Sequence, residues 1–271
     1  MKFGVREGML QVTYETVLED AGQLGFDGVE FEVGPKVPDE GTPLFDAQER
    51  KHLKDRASQS GVAVSCICIG AFWKYSPAES DKALRDMGLQ LLKNTIEACS
   101  DLGTQCILTP LNNSGEEADV AVERWLGFLE EAKPVAEEHQ VTIALEPCTR
   151  PGMGTDQEVI AMIDKMGSEY IRAYLDVANI RVAGVDSVEA VKSLGLQNLT
   201  HIHRKDLKEN PPGSERPFSV VGLGQGMLDF EGICKTIVDV GYDGWLTLET
   251  PADGDAKGSA KKNLDILRSY F

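Results

Sequence analysis

No apolar run in this 271-residue sequence approaches the roughly 20 residues that cross a bilayer as a helix. The opening, MKFGVREG, has neither the basic start, the apolar stretch nor the small-residue cleavage site of a secretion signal. The expectation is a cytoplasmic chain with no membrane partner. Positive charge is in deficit: 27 Lys+Arg against 44 Asp+Glu leave a formal charge of −17. Repulsion on that scale disfavours a nucleic-acid partner, while leaving room for a local basic pocket that takes a small anion. Cysteine is scattered rather than patterned. Cys66 and Cys68 stand too close for a C-x-x-C redox or zinc motif, and the other four lie mostly in apolar segments, where reduced thiols act as small hydrophobes. Cys148, just past Glu146, is the one placed to line a site.

Linkers and low-complexity segments are also missing, so nothing divides the chain. A composition that is 42% hydrophobic supports one large core, and the reading is a single domain over residues 1–271. Short apolar strands alternate with amphipathic helical stretches from end to end, the signature of a parallel α/β architecture. Strands are expected at FGVR from Phe3, GVEFEV from Gly28, VAVSCI from Val62 and QCILT from Gln105, and then in VTIALEP, RAYLDVAN, LTHIHRKD and WLTLETP. The clearest helices are KALRDMGLQLLKNTIEACSDLG and VERWLGFLEEAKPVAEEH. Gly25-Phe-Asp-Gly28 is echoed by Gly241-Tyr-Asp-Gly244, each a glycine-ended helix turning into a strand. The longest irregular connection is expected from Lys208 to about Asp229.

The last four strands carry Glu146, Asp176, His203 and Glu249 near their C-terminal ends. Side chains alternate along a strand, so Val141, Ile143 and Leu145 share one face while Thr142, Ala144 and Glu146 share the other. The same alternation sets Ala173 and Leu175 against Tyr174 and Asp176, and Leu246 and Leu248 against Thr247 and Glu249. In a closed parallel barrel the apolar faces pack outward on helices and the others converge at the axis. Two Glu, one Asp and one His then meet at the C-terminal mouth as a hard oxygen and nitrogen ligand set for a divalent cation. Without a cation, the convergent carboxylates would repel one another.

Six segments in order, LGFDGVEFE, ALEP, YLDVAN, HIHRKD, GLGQGMLDF and GYDGWLTLE, make the chain similar over nearly its whole length to the sugar isomerase/epimerase superfamily of xylose-isomerase-like barrels. The resemblance, nearest to the ketose 3-epimerase-like branch, implies a (β/α)8 TIM barrel of the α/β class. It also implies that Glu146, Asp176, His203 and Glu249 hold one divalent cation, Mn²⁺ first, with Mg²⁺, Co²⁺ or Zn²⁺ as alternatives, and that Glu146 and Glu249 double as acid and base. The partner implied is a small carbohydrate. One departure is Asn179, where members acting on free ketoses often carry His three residues after the metal-binding Asp.

The chemistry these residues suit is proton abstraction α to a carbonyl, with return to the opposite face for epimerisation or to the neighbouring carbon for aldose–ketose isomerisation. Arg6, Glu32, Asn179 and Lys205 are expected to bind substrate, Lys205 by stabilising oxyanion charge and Asn179 by donating to a hydroxyl or by capping the next helix. His201 reads as a hydrogen-bonded barrel-core histidine. Gly222, Gly224 and Gly226 lack the strand–turn–helix setting of a dinucleotide loop and read as a mouth loop whose N–H groups serve a sugar phosphate, aided by Arg216 and Lys208. A keto-inositol or keto-sugar dehydratase and a non-catalytic sugar-binding barrel are the alternatives. A DNA-repair endonuclease of the related branch would need more histidines than His52, His139, His201 and His203. The apolar outer helices are compatible with a homo-oligomer.

Overall fold

In the computed structural model, which describes residues 1–252 and 254–271, eight parallel strands close into a barrel. In chain order they are β1 (Lys2–Arg6), β2 (Gly28–Glu32), β3 (Ala63–Cys68), β4 (Cys106–Pro110), β5 (Thr142–Glu146), β6 (Ile171–Asp176), β7 (Leu199–Arg204) and, after a two-stranded insertion of β8 (Asp206–Glu209) and β9 (Phe218–Val221), β10 (Trp245–Leu248). Going round, the order is β1-β10-β7-β6-β5-β4-β3-β2, so β1 and β10 close the ring. All eight expected strands are present.

The alternation read from the sequence sorts the core into two shells. Ile143, Leu145, Ala173, Leu175, Leu246 and Leu248 are fully buried in the main apolar layer beneath the helices. Cys66, Cys68, Cys106, Leu108, Ala144 and Tyr174 form a separate cluster inside the barrel. All six cysteines are free, and only Cys148 is less than buried. Helices Lys82–Leu102 and Ala118–His139 match the two strongest expectations, and Trp125 of the second packs edge-on against Phe72 and Phe128.

Gly25 and Gly241 both adopt the left-handed backbone (φ +96° and +78°) that the repeated turn requires. The connection after β7 differs from expectation. Instead of being irregular, Asp206–Glu209 and Phe218–Val221 pair antiparallel across a Pro/Gly turn. Phe218, Val220 and Val221 favour extended backbone, but both strands are only four residues long and β9 is largely exposed, so no apolar alternation shows. No helix among the described residues is long and apolar enough to cross a membrane.

Candidate metal centre and active site

Glu146, Asp176, His203 and Glu249 come together at the C-terminal mouth, each offering a ligand atom within 4.8 Å of the others. Strand register explains the meeting. Asp176 pairs with His203 across β6 and β7, Thr247 sits opposite His203 on β10, and Glu249 follows β10 with its N–H donating to the Arg204 carbonyl at 3.1 Å. Asp176 has a divided role. Its Oδ1 accepts the N–H groups of Ala178 (2.8 Å) and Asn179 (2.9 Å), capping helix Val177–Val182, while its Oδ2 faces the cluster.

The donor set fits a divalent cation by a test internal to the chain. His203 Nδ1 is buried and has no hydrogen-bond partner, yet Glu249 Oε2, Glu146 Oε1 and Asp176 Oδ2 lie 3.1, 3.4 and 3.8 Å from it. Spacings near 3 to 4 Å between donors are those of ligands that each stand about 2 Å from a common ion. The ring's other nitrogen is committed: Nε2 donates to Glu30 Oε1 at 3.0 Å, leaving Nδ1 as the free donor atom. Such a carboxylate behind a ligating histidine fixes its tautomer and orientation.

Glu30 is almost wholly buried and also accepts from the Tyr174 hydroxyl at 2.7 Å, with Arg6 Nε 3.3 Å away. Burial pushes its carboxyl up, but His203 and Arg6 outweigh that and hold it below its ordinary value. Burial works against the His203 imidazolium, and Glu30 and Glu249 overcome it, raising that pKa well above the usual value. The Glu146 carboxyl is raised, chiefly by burial. Glu249 feels the same burial, but Lys205, His203 and Arg6 bring it well below the ordinary range.

Two cations brace the carboxylates. Lys205 Nζ stands 2.5 Å from Asp176 Oδ2 and 2.9 Å from Glu249 Oε2. Arg6 reaches Glu249 Oε1 at 2.6 Å and Glu32 Oε2 at 2.8 Å. Arg6, Glu32 and Glu249 line a cavity of about 380 Å³ beside Glu7 and Thr250. A larger groove, about 610 Å³, lies between the outer helices Ala118–His139 and Asp156–Met166 and contains none of the four candidate ligands Glu146, Asp176, His203 and Glu249.

Asn179 touches the carboxylate cluster but its side chain caps no helix. Its amide donates to Glu146 Oε1 at 3.3 Å, and Asp176 is the cap. Cys148 Sγ lies 3.5 Å from Glu146 Oε2. His201 is a core residue as expected, with Nε2 3.2 Å from the Ser65 carbonyl and its ring stacked on Trp245. Arg216 is exposed in the turn between β8 and β9 and is not brought to the cluster, and Lys208 is exposed on β8.

The glycine loop is not a cradle of free N–H groups. Buried Asp206 accepts from Gly224 (3.1 Å) and Gly226 (2.8 Å) through Oδ2, and from Leu207 (2.8 Å) and Leu228 (3.2 Å) through Oδ1. Asp206 and Glu30 are the two organising residues that the sequence reading passed over. Alternation along β2 sets Glu30 on the same inward face as Glu32, but the partner that gives Glu30 its role, His203, lies 173 residues away.

Comparison with known proteins agrees with this architecture. The L-ribulose-5-phosphate 3-epimerase of Salmonella heidelberg (strain SL476) is 28% identical over 248 residues, covering 88% of this chain and 84% of that protein. The enzyme of the same name from Escherichia coli (strain K12) is 27% identical over 234 residues, covering 86% and 80%. Among solved structures, an L-ribulose 3-epimerase superposes with a TM-score of 0.81 at 20% identity, covering 99% of this chain and 95% of the other. D-psicose 3-epimerase from Clostridium cellulolyticum H10 gives 0.80 at 18% identity, with 100% and 99% covered. The family model described as xylose isomerase-like TIM barrel matches residues 18–270, and the chain belongs to that family.

Proposed function

We propose that the chain is a divalent-metal-dependent epimerase of ketoses or ketose phosphates, acting by proton removal and return at the carbon next to the carbonyl. The observation that carries this reading is the convergence of Glu146, Asp176, His203 and Glu249 around one point, with the unpartnered His203 Nδ1 among three carboxylates. The relatives named as L-ribulose-5-phosphate 3-epimerases support the same chemistry. Mn²⁺ suits three carboxylates and an imidazole, with Mg²⁺, Co²⁺ and Zn²⁺ as alternatives, and a cation held there would supply Lewis-acid polarisation of the substrate carbonyl.

The protein's own share is proton transfer and orientation. Glu146 and Glu249 reach the site from β5 and from the end of β10, with β6 and β7 between them in the ring. A substrate seated between them meets a carboxylate from each side, so one removes the proton and the other returns one. Epimerisation is reversible, so the roles exchange with direction. Lys205 is placed to offset negative charge developing on the substrate oxygens. Arg6 and Glu32, which line the cavity, and Asn179, beside Glu146, are assigned to the substrate's hydroxyl groups. Arg216, farther out on the β8–β9 turn, is assigned to the incoming substrate.

Solvent-deuterium incorporation, followed by NMR across ketoses and ketose phosphates with metal-stripped and Mn²⁺-reloaded protein, tests the proposal. Metal-dependent exchange at one carbon, lost in Glu249→Gln while the metal still binds, is the expected result. A deoxy or unsaturated product would replace the reading with the dehydratase, and metal-independent sugar binding without exchange would replace it with a binding module.

A further inference from the structure

The cationic groups nearest the metal ligands are already committed. Arg6 is held by Glu30, Glu32 and Glu249, and Lys205 by Asp176 and Glu249. The N–H groups of Gly224 and Gly226 are taken by Asp206. The charges of Arg6 and Lys205 are already offset by these carboxylates, so they offer a dianionic group little net attraction. In a chain of formal charge −17, a dianion also needs a local attractor to approach at all.

One part of the mouth supplies it. Trp73, at the end of the short helix after β3, is 54% exposed, an unusual setting for an indole. The Arg150 guanidinium, four residues beyond Glu146 in the loop after β5, lies 5.9 Å from the Trp73 ring centroid. β4 stands between β3 and β5 in the barrel, so this contact bridges two mouth loops across the end of β4. Lys74 follows Trp73, with Nζ 4.8 Å from the Tyr75 ring centroid. Among the described residues, neither Arg150 nor Lys74 has a carboxylate partner within ion-pair distance. Arg150 rests on the Trp73 ring and Lys74 on Tyr75, with Asp39 adding attraction to Lys74 only from beyond ion-pair distance, and these are weaker partners than a phosphate oxygen.

We infer that the substrate is a ketose bearing a terminal phosphate, held at this rim by Arg150 and Lys74 while the exposed face of Trp73 packs on the carbon chain. The inference rests on the epimerase reading and names the class of substrate within it. A guanidinium presents paired N–H donors to phosphate oxygens, an ammonium adds a point charge, and an indole face favours the C–H side of a sugar chain.

The test uses full-length, Mn²⁺-loaded protein with a pentulose 5-phosphate and the same pentulose without phosphate. Wild type should show a KM for the phosphate at least tenfold lower. Arg150→Met, alone and with Lys74→Met, should raise that KM about ten- to hundredfold, the value of lost charge-assisted hydrogen bonds, with kcat changed less than about threefold. The ratio of the two KM values should collapse, and inorganic phosphate should compete in wild type and cease to compete in the double variant. A wild-type preference for the free pentulose, or an unchanged ratio in a double variant that melts like wild type, would overturn the rim assignment. If neither compound exchanges deuterium, the epimerase reading fails by itself. Calorimetric titration with inorganic phosphate then decides the rim: heat lost in the double variant supports it, and heat unchanged or absent in wild type overturns it.

Discussion

Replacing Glu30 with Gln tests whether the carboxylate behind His203 sets metal affinity. The substitution keeps shape and an acceptor oxygen but removes the charge facing Nε2 across 3.0 Å, in a position with almost no exposure. A hydrogen bond to a charged partner contributes about 1.5 to 3 kcal/mol, and loss of such support typically weakens metal binding about 10- to 100-fold, or roughly 1.4 to 2.7 kcal/mol. The two estimates agree, so Glu30→Gln should bind Mn²⁺ at least tenfold more weakly. The Tyr174 hydroxyl, 2.7 Å from Glu30 Oε2, can turn to accept from the new amide, but its own proton then loses its acceptor, so some loss of melting temperature is expected as well. Isothermal titration of metal-stripped protein measures the effect, with the melting temperature of the metal-free variant as the check on folding. An affinity within twofold of wild type would refute the reasoning and leave Glu30 a charge partner of Arg6 alone.

Lys205→Met should act in the opposite sense. Removing a cation 2.5 and 2.9 Å from two ligand oxygens lifts competition for the divalent ion, so Mn²⁺ affinity should rise while the metal-free protein melts lower, and weaker binding in calorimetry would contradict this. Asp206→Asn keeps one acceptor oxygen and orphans two of the four N–H donors, and at about 1 to 3 kcal/mol for each orphaned group it should cost about 2 to 6 kcal/mol and expose residues 207–228 to limited proteolysis; an unchanged cleavage pattern would count against Asp206 as the organiser of that loop. Burial raises the Glu7 carboxyl from 4.5 to about 7, so its contribution to stability is full below pH 4.5 and is lost as pH rises through 7. Glu7→Gln should therefore gain melting temperature relative to wild type between pH 5 and 8, and a constant difference across that range would disprove the assignment.

The parts of the site visible in the sequence were those governed by period two. Glu146, Asp176 and Glu249 stand at strand ends, each on the face opposite fully buried aliphatic residues, so their inward direction followed from alternation alone. His203 followed from the same rule on β7. What closure of the barrel adds was not legible. Alternation gave Glu30 and Glu32 one face, but only the register across β1 and β2 buries Glu30 beside Arg6 and leaves Glu32 at the exposed end. Glycine content suggested free N–H groups after β7, yet the acceptor that consumes them, Asp206, lies 18 and 20 residues earlier, a contact no local pattern encodes. The β8–β9 hairpin escaped notice for a related reason: β9 is largely exposed and β8 buries only Asp206 and Leu207, so neither strand shows an alternating apolar face.

Asp176 has one oxygen on the Ala178 and Asn179 amides and the other turned to the ligand set. A change in charge at Oδ2 must therefore redistribute electron density across the whole carboxylate and alter what the two amides feel. Those N–H groups become built-in reporters. Their chemical shifts and exchange with solvent should register events at the mouth without any probe being added, and helix Val177–Val182 should begin to fray wherever the carboxylate is pulled away from its cap.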